Sequence, residues 1–407
     1  MLEGKNIVVI GGGAAGYFAA INAANHYPNA KVIILEKTGK TLQKVKVSGG
    51  GRCNVTHHCF DIPQLSENYP RGEKELRQAF YQFSVSDTIA WFKKHEVELV
   101  AENDQRMFPN TNSSQTIIDC FENTFKQLGG KVFLHHEVTK ITKKEDVFTL
   151  KLKVGNNLSA HKIIVTSGGF NQINGYHFLS DFNLNIIQPL PSLFTFNLED
   201  KNITKLMGLS VPQAYVKIKN SNFENQGPLL ITHWGFSGPA VLKLSAFSAI
   251  FLASINYNFE IEVNWNTNFT LEALKQYLIK LKNTSAKVWS SLYADLGIPK
   301  RLHEYLLNEC GLNESKKLAE TNNKLIDQFS QLICGQTFKI KGKTTFKEEF
   351  VTCGGIDLKE INFKTMECKK VPGLYFAGEV LNIDGVTGGF NFQAAWTTSY
   401  IAAQLKT

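Results

Sequence analysis

The chain has 407 residues, 43% hydrophobic and 20% charged, and no low-complexity tract; this suits two or three packed domains and excludes a disordered or fibrous protein. The net charge of +8 is scattered, and the densest basic run, residues 337–347, alternates like a solvated strand, so nucleic-acid binding is not the first expectation. Seven cysteines without a Cys-x-x-Cys pair argue against a disulfide framework or a zinc site, and the longest apolar run, around Ala249–Ile255, is too short to cross a bilayer.

An apolar strand begins at Lys5 ("KNIVVI") and leaves no room for a signal peptide, so a cytoplasmic protein is expected. "GGGAAG" follows, then an Ala-rich helical stretch at 17–25 and a second strand at 30–37, "AKVIILEK". Strand–turn–helix–strand without a hairpin predicts two parallel strands. Residues 75–95 and 114–128 read as amphipathic helices, 131–135 and 145–153 as strands, and 161–169 as a strand ending in a glycine turn. From about 192 to 265 apolar and polar residues alternate ("FTFNL", "AYVKIKN", "FEIEVNW"), which predicts a small antiparallel β-domain; 270–335 is helical in pattern. "PGLYFAGEV" at 372–380 and a final helix at 391–404 return to the style of the first segment. The chain therefore reads as one α/β domain built from both ends, with a β-plus-α insertion.

Gly11, Gly13 and Gly16 fit G-x-G-x-x-G: a tight turn, a bare approach for a pyrophosphate, and a close helix–strand contact. The following helix N-terminus offers free N–H groups and partial positive charge to phosphates. Glu36 ends the second strand, where a carboxylate accepts ribose hydroxyls and repels a 2′-phosphate, so NADP is not expected at this turn. The fingerprint alone does not separate NAD from FAD. Gly378-Glu379 ends a later strand, and Gly388-Gly389 opens the last helix, where free N–H groups suit the N1–C2=O edge of a reduced flavin. "VSGGGRCNVTHH" at 47–58 admits several readings: a backbone loop against a cofactor, a covalent flavin link at Cys53 or His57, or zinc at Cys53, His57, His58 and Cys59.

"SGGGRCN", "LLITHWGFSGPAVL", "VTCGGI" and "GLYFAGEVLNIDGVTGGFNFQAAW" together resemble the BaiN/YhiN-like flavoproteins, also called the NAD(P)/FAD-dependent or aminoacetone oxidase family, over nearly the whole chain. The resemblance implies a Rossmann-type FAD-binding domain at 1–190 and 337–407, interrupted by a β-barrel-like domain at 191–268 and a small helical domain at 269–336. It implies noncovalent FAD held by Gly11, Gly13, Ala15, Gly16, Glu36, Lys37, Lys44, Ser48, Gly49, Gly50, Gly51, Arg52, Asn54, Val138, Ser167, Gly168, Gly169, Gly355, Gly378, Glu379, Gly388, Gly389, Phe390 and Asn391. No metal is expected. His233 is the candidate catalytic acid or base, with a structural turn as the alternative; Ser237 and Arg106 are substrate-side candidates. Cys353 reads as a small buried filler. Gln105 stands where the family has glycine, and the loop after Gly169 is shorter than the family's.

The expected activity is hydride transfer between a small-molecule substrate and FAD, with substrate bound where the flavin and inserted domains meet. No second dinucleotide fingerprint is present, so a nicotinamide is expected to dock only transiently. A flavin-dependent RNA-modifying protein and a non-catalytic binding flavoprotein are the alternatives. The chain is expected to be a monomer or homodimer without membrane contact.

Overall fold

The computed structural model describes residues 4–344 and 351–406. β1 (Asn6–Ile10) and β2 (Lys31–Leu35) run parallel, Val8 opposite Ile33, and α1 (Ala14–His26) crosses between them. A small antiparallel sheet follows, built from β3 (Thr56–His57) and, after the helices α2 (Glu73–Phe80) and α3 (Val85–Lys94), from β4 (Leu99–Ala101) and β5 (Arg106–Pro109). The amphipathic stretch at 75–95 is thus two helices, because Ser84 and Asp87 form a capping box that starts the second. α4 (Ser114–Gln127) and β6 (Lys131–Phe133) lead to a three-stranded antiparallel sheet of β7 (Val138–Lys144), β8 (Val147–Leu152) and β9 (Leu158–Ala160). β10 (Lys162–Val165) rejoins β1 in parallel, and β11 (Ile186–Pro191) ends this part of the chain.

Residues Leu193–Thr345 form a separate compact unit. β12 (Thr195–Leu198), β13 (Ser210–Ile218), β14 (Glu224–Ile231), β15 (Gly235–Ser237), β16 (Asn258–Asn264) and β17 (Gln336–Thr344) close a barrel in the order β12-β15-β14-β13-β16-β17. α5 (Pro239–Ser254) lies inside the stretch whose alternation predicts strands. Its sequence is apolar nearly all round, so it shows no face to a periodicity argument, and Pro239 at its first turn starts it. α6 (Leu271–Thr284), α7 (Lys300–Glu309) and α8 (Asn323–Gly335) belong to the same unit as the barrel. Residues 337–344 close the barrel against β12 and β16, so the return to the first unit falls after Thr344 rather than at 337. Lys339 and Lys341 are exposed on β17, as its alternation predicts; residues 345–347 of that basic run lie outside the described residues.

The second half of the first unit, Met1–Ser192 with Phe346–Thr407, adds β18 (Thr352–Ile356), β19 (Ile361–Asn362), β20 (Glu367–Cys368), β21 (Leu374–Phe376) and α9 (Phe390–Ala403). Its main sheet runs β19-β20-β21-β10-β1-β2-β6, with the last five strands parallel. Buried α1 and α9 pack through Phe18 and Trp396, whose rings lie 5.2 Å apart, with Trp91 and Phe121 completing the aromatic core. Such pairs add about 0.5–1.5 kcal/mol each beyond the area they bury.

Candidate functional site

In the order β6-β2-β1-β10-β21 the chain leaves β1 in one direction and approaches β21 in the other, so the switch point lies between β1 and β10. Gly11 and Ser167 follow those two strands. Gly11 has φ +109°, and a Cβ there would lie 2.5 Å from the Thr166 carbonyl. A Cβ on Gly16 would lie 1.9 Å from the Gly11 carbonyl. Thr166 Oγ1 donates to the carbonyls of Ile10 (3.0 Å) and Gly11 (3.1 Å), fixing the two turns together. A Cβ on Gly13, in contrast, would meet nothing within 4 Å, and no side chain caps α1. That leaves bare backbone at Gly13 and a helix start without a side-chain cap, as a pyrophosphate requires.

Glu36 Oε2 accepts from Gly12 N at 2.8 Å, and Oε1 accepts from Thr38 N (2.8 Å) and Thr38 Oγ1 (2.9 Å), so the carboxylate is locked against the glycine turn. Lys37 is exposed, its Nζ 5.3 Å from the Phe170 ring centroid. Val138 opens β7 two residues beyond His136, whose N–H donates to the Glu36 carbonyl at 2.8 Å. Ala15 is buried beneath Gly378, where a Cβ would approach the Ala15 Cβ to 2.9 Å.

Beyond β10, Ser167 Oγ is sealed from solvent without a protein partner, and Gly168 has φ +74°. A Cβ on Gly169 would lie 2.0 Å from Thr352 Oγ1. Gly355 in β18 has φ +118°, and its missing side chain leaves room for the Val380 carbonyl, 2.6 Å from where a Cβ would sit. Glu379 follows β21 and pairs with Lys44 Nζ at 2.6 Å.

The loop at 48–54 is built by positive φ. Ser48 Oγ donates to the Val45 carbonyl (2.9 Å), Gly49, Gly50 and Gly51 have φ of +58°, +69° and +85°, and Cys53 follows at +61°. A Cβ on Gly50 or Gly51 would meet nothing within 4 Å. Cys53 is fully buried, and burial pushes its thiol up to about 12, which removes the thiolate that redox or covalent chemistry needs. Cys353 is likewise buried, its thiol pushed up to about 11 by desolvation. Arg52 turns to the β4–β5 sheet: it donates to Glu102 Oε1 at 2.6 Å and lies 4.0 Å from the Phe108 ring centroid. In this structure its guanidinium pairs with a protein carboxylate. Arg106 pairs with Asp104 (2.7 Å) and Glu102 (3.2 Å) in the same cluster. Among the described residues no group of three His, Cys, Asp or Glu side chains is placed to hold a metal.

The segment 384–391 completes the site. With its amide oriented to satisfy both partners, Asn54 accepts from Gly389 N and donates to the Thr56 carbonyl, each at 3.0 Å. The Gly389 N–H expected to be free is thus held by Asn54. Gly388 and Gly389 have φ of +125° and +95°, and a Cβ on Gly389 would lie 2.6 Å from the Thr56 carbonyl. Phe390 is buried, its carbonyl accepting from Tyr69 OH at 2.7 Å; Asn391 exchanges two hydrogen bonds with Gly385 (2.8 and 2.9 Å). The composition gave no sign of a network beneath this segment. Asp384, fully buried, takes Arg71 Nε at 2.5 Å and accepts further from Arg71 and from Ser192 Oγ. A carboxylate set among the glycines of "IDGVTGG" and an arginine in "YPRGE" were the available signals.

His233 and Ser237 lie in the second unit. His233 is exposed at the β14–β15 turn, its ring 3.5 Å from that of Trp234, and the turn is closed by Thr232 N donating to the Gly235 carbonyl at 2.7 Å. Ser237 is buried in β15 opposite Leu230. Their expected roles rest on the resemblance alone.

Residues 5–405 match the family described as HI0933-like protein Rossmann domain. The chain belongs to this family. It is 29% identical over 418 residues to a ribosomal RNA dihydrouridine synthase of Escherichia coli (strain K12), covering 99% of this chain and 98% of the relative. It is 24% identical to a 3-dehydro-bile acid delta(4,6)-reductase of Clostridium scindens, covering 98% of each. Its fold is similar to that of a 3-ketosteroid delta1-dehydrogenase from Sterolibacterium denitrificans, with TM-score 0.53, 11% identity, and coverage of 98% of this chain and 99% of that one. The protein is an FAD-dependent oxidoreductase of this family. The site fits the cofactor: bare backbone at Gly13, Gly50 and Gly51, the partnerless Ser167 hydroxyl, and a carboxylate after each of two parallel strands.

Proposed function

We propose that this protein reduces a carbon–carbon double bond conjugated to a carbonyl, and that its substrate is uridine in ribosomal RNA. The relative named as a ribosomal RNA dihydrouridine synthase, alike from end to end, carries the reading. Converting uridine to dihydrouridine adds a hydride and a proton across the C5=C6 bond, which the C4 carbonyl activates. A delta(4,6)-reductase of a 3-oxo bile acid adds the same two hydrogens to a conjugated enone, so both named activities ask for one chemistry. The charge is compatible with RNA: the second unit holds seventeen Lys and Arg against twelve Asp and Glu, a net of +5 out of +8, though no basic stripe is read in the sequence. This ranks above the small-molecule substrate that the sequence suggested first, which the bile acid reductase keeps as the second reading. A ribosomal RNA substrate agrees with the cytoplasmic location expected from the sequence.

FAD, when bound, supplies the hydride. The Gly11–Gly16 turn and the α1 N-terminus hold the pyrophosphate, and Glu36 takes the ribose hydroxyls, with Lys37 and Val138 beside the same end. Glu379 orients the ribityl chain, with Lys44 offsetting its charge. The 48–51 loop and the 388–391 segment would hold the ring system.

The test is anaerobic. The reduced holoenzyme is mixed with ribosomal RNA from a bacterial strain deleted for its dihydrouridine synthases, and the nucleosides are weighed by mass spectrometry. Dihydrouridine with return of the oxidised flavin spectrum is expected. No dihydrouridine, together with reoxidation by a steroid enone, would transfer the assignment to the second reading.

A further inference from the structure

The "VTHH" end of the 47–58 stretch contains a histidine that the cofactor site as described leaves unused. His57 lies on β3, half-buried, with Arg106 opposite it on β5. Its ring stacks on Phe390, centroids 4.6 Å apart and planes 27° from parallel. Its Nδ1 lies 3.0 Å from the Gly388 carbonyl. A carbonyl oxygen only accepts, so Nδ1 carries the proton and Nε2 is the basic nitrogen. Nε2 has no hydrogen-bond partner among the described residues, yet it is not among the polar atoms sealed from solvent. The ring is therefore fixed in position and tautomer by the segment expected to edge the flavin, with one nitrogen left open to take and give a proton.

We propose that His57 is the proton-exchanging residue of the flavin site. It takes a proton from solvent at Nε2 and releases it from the same atom, while the Nδ1–H bond to Gly388 holds the ring in place. In the reduction of a conjugated double bond this proton goes to the carbon that does not receive hydride, and the neutral imidazole remains. Three ionisable groups face the ring: Asp104 and Arg106 from the β4–β5 hairpin, and His58 beside it. Burial lowers the histidine's affinity for a proton below the ordinary value, only partly offset by the Gly388 carbonyl, so the released form dominates at neutral pH. The proposal rests on flavin in this site and not on the identity of the substrate.

The test uses the FAD-loaded protein without substrate. The visible flavin spectrum is recorded from pH 8 to pH 4.5 for the native chain and for His57→Asn, whose amide N–H keeps the bond to Gly388 and cannot titrate. A single spectral shift is expected in the native protein, with its midpoint below about 6.5. It is expected to be lost in His57→Asn, whose pH 8 spectrum stays native. His57→Gln, which places an amide near Nε2 and leaves Gly388 unbonded, is expected to alter the spectrum at every pH. An identical shift in His57→Asn, or none in the native protein, would overturn the proposal. A native chain that binds no FAD would overturn the flavin site itself, and a failure to form dihydrouridine bears on neither.

Discussion

Gly13 and Gly16 sit three residues apart in one turn and are glycine for different reasons. Gly16 faces the Gly11 carbonyl, which a Cβ would approach to 1.9 Å, whereas a Cβ on Gly13 would meet no protein atom within 4 Å. Gly16→Ala is therefore expected to destabilise the apo protein by more than about 2 kcal/mol, measured by urea unfolding. Gly13→Ala is expected to leave apo stability within about 0.5 kcal/mol and to weaken FAD binding at least about tenfold by fluorescence titration, because only the cofactor fills that space. The fingerprint and Glu36 were legible in the sequence because their spacing is itself the chemistry. The partner of Arg52 was not: Glu102 lies fifty residues on, and only the fold joins them. Gln105 was half-legible. It adopts a left-handed backbone at φ +66°, a turn that glycine takes without strain and glutamine does not.

At the scale of elements, the segment between β21 and α9 is fixed from several sides. Asn54 holds Gly389, Tyr69 holds the Phe390 carbonyl, and Arg71 with Ser192 holds Asp384. Burial raises the Asp384 carboxyl above its ordinary value, even against the opposing Arg71 guanidinium, so the pair is costly to bury. Asp384→Ala strands the Arg71 charge and is expected to cost about 3–5 kcal/mol in chemical denaturation, with FAD released at lower denaturant. Ser192→Ala keeps the ion pair and is expected to cost about 1–2 kcal/mol. Element type was readable wherever one face is polar, as in α4 and β13. It failed at α5, whose apolar surface has no period to read. The buried Asp384 network escaped because its members come from residues 71, 192 and 384, which no local pattern links.

For the whole molecule, the second unit carries its own pH sensitivity. His303 on α7 is fully buried, with neither ring nitrogen bonded, and burial lowers it to about 4. Its folded value lies below the unfolded one near 6.5, so the second unit keeps its full stability above about 6.5 and loses up to about 3 kcal/mol as pH falls toward 4. Calorimetry at pH 7 and pH 4.5 is expected to show one of two transitions moving down, and His303→Leu to reduce that movement. The alternation at 192–265 announced the second unit, but its closing strand at 336–344 reads locally like a return to the first. The ladders explain why it is not one. Thr195 pairs with Thr344 at the ends of the barrel unit, and Pro191 pairs with Thr352 at the ends of the interruption in the first. Leaving and returning strands are thus neighbours on both sides of the junction. A cassette joined in this way can be lengthened, exchanged or excised in evolution without rethreading its host, which inherits the nucleotide cradle intact.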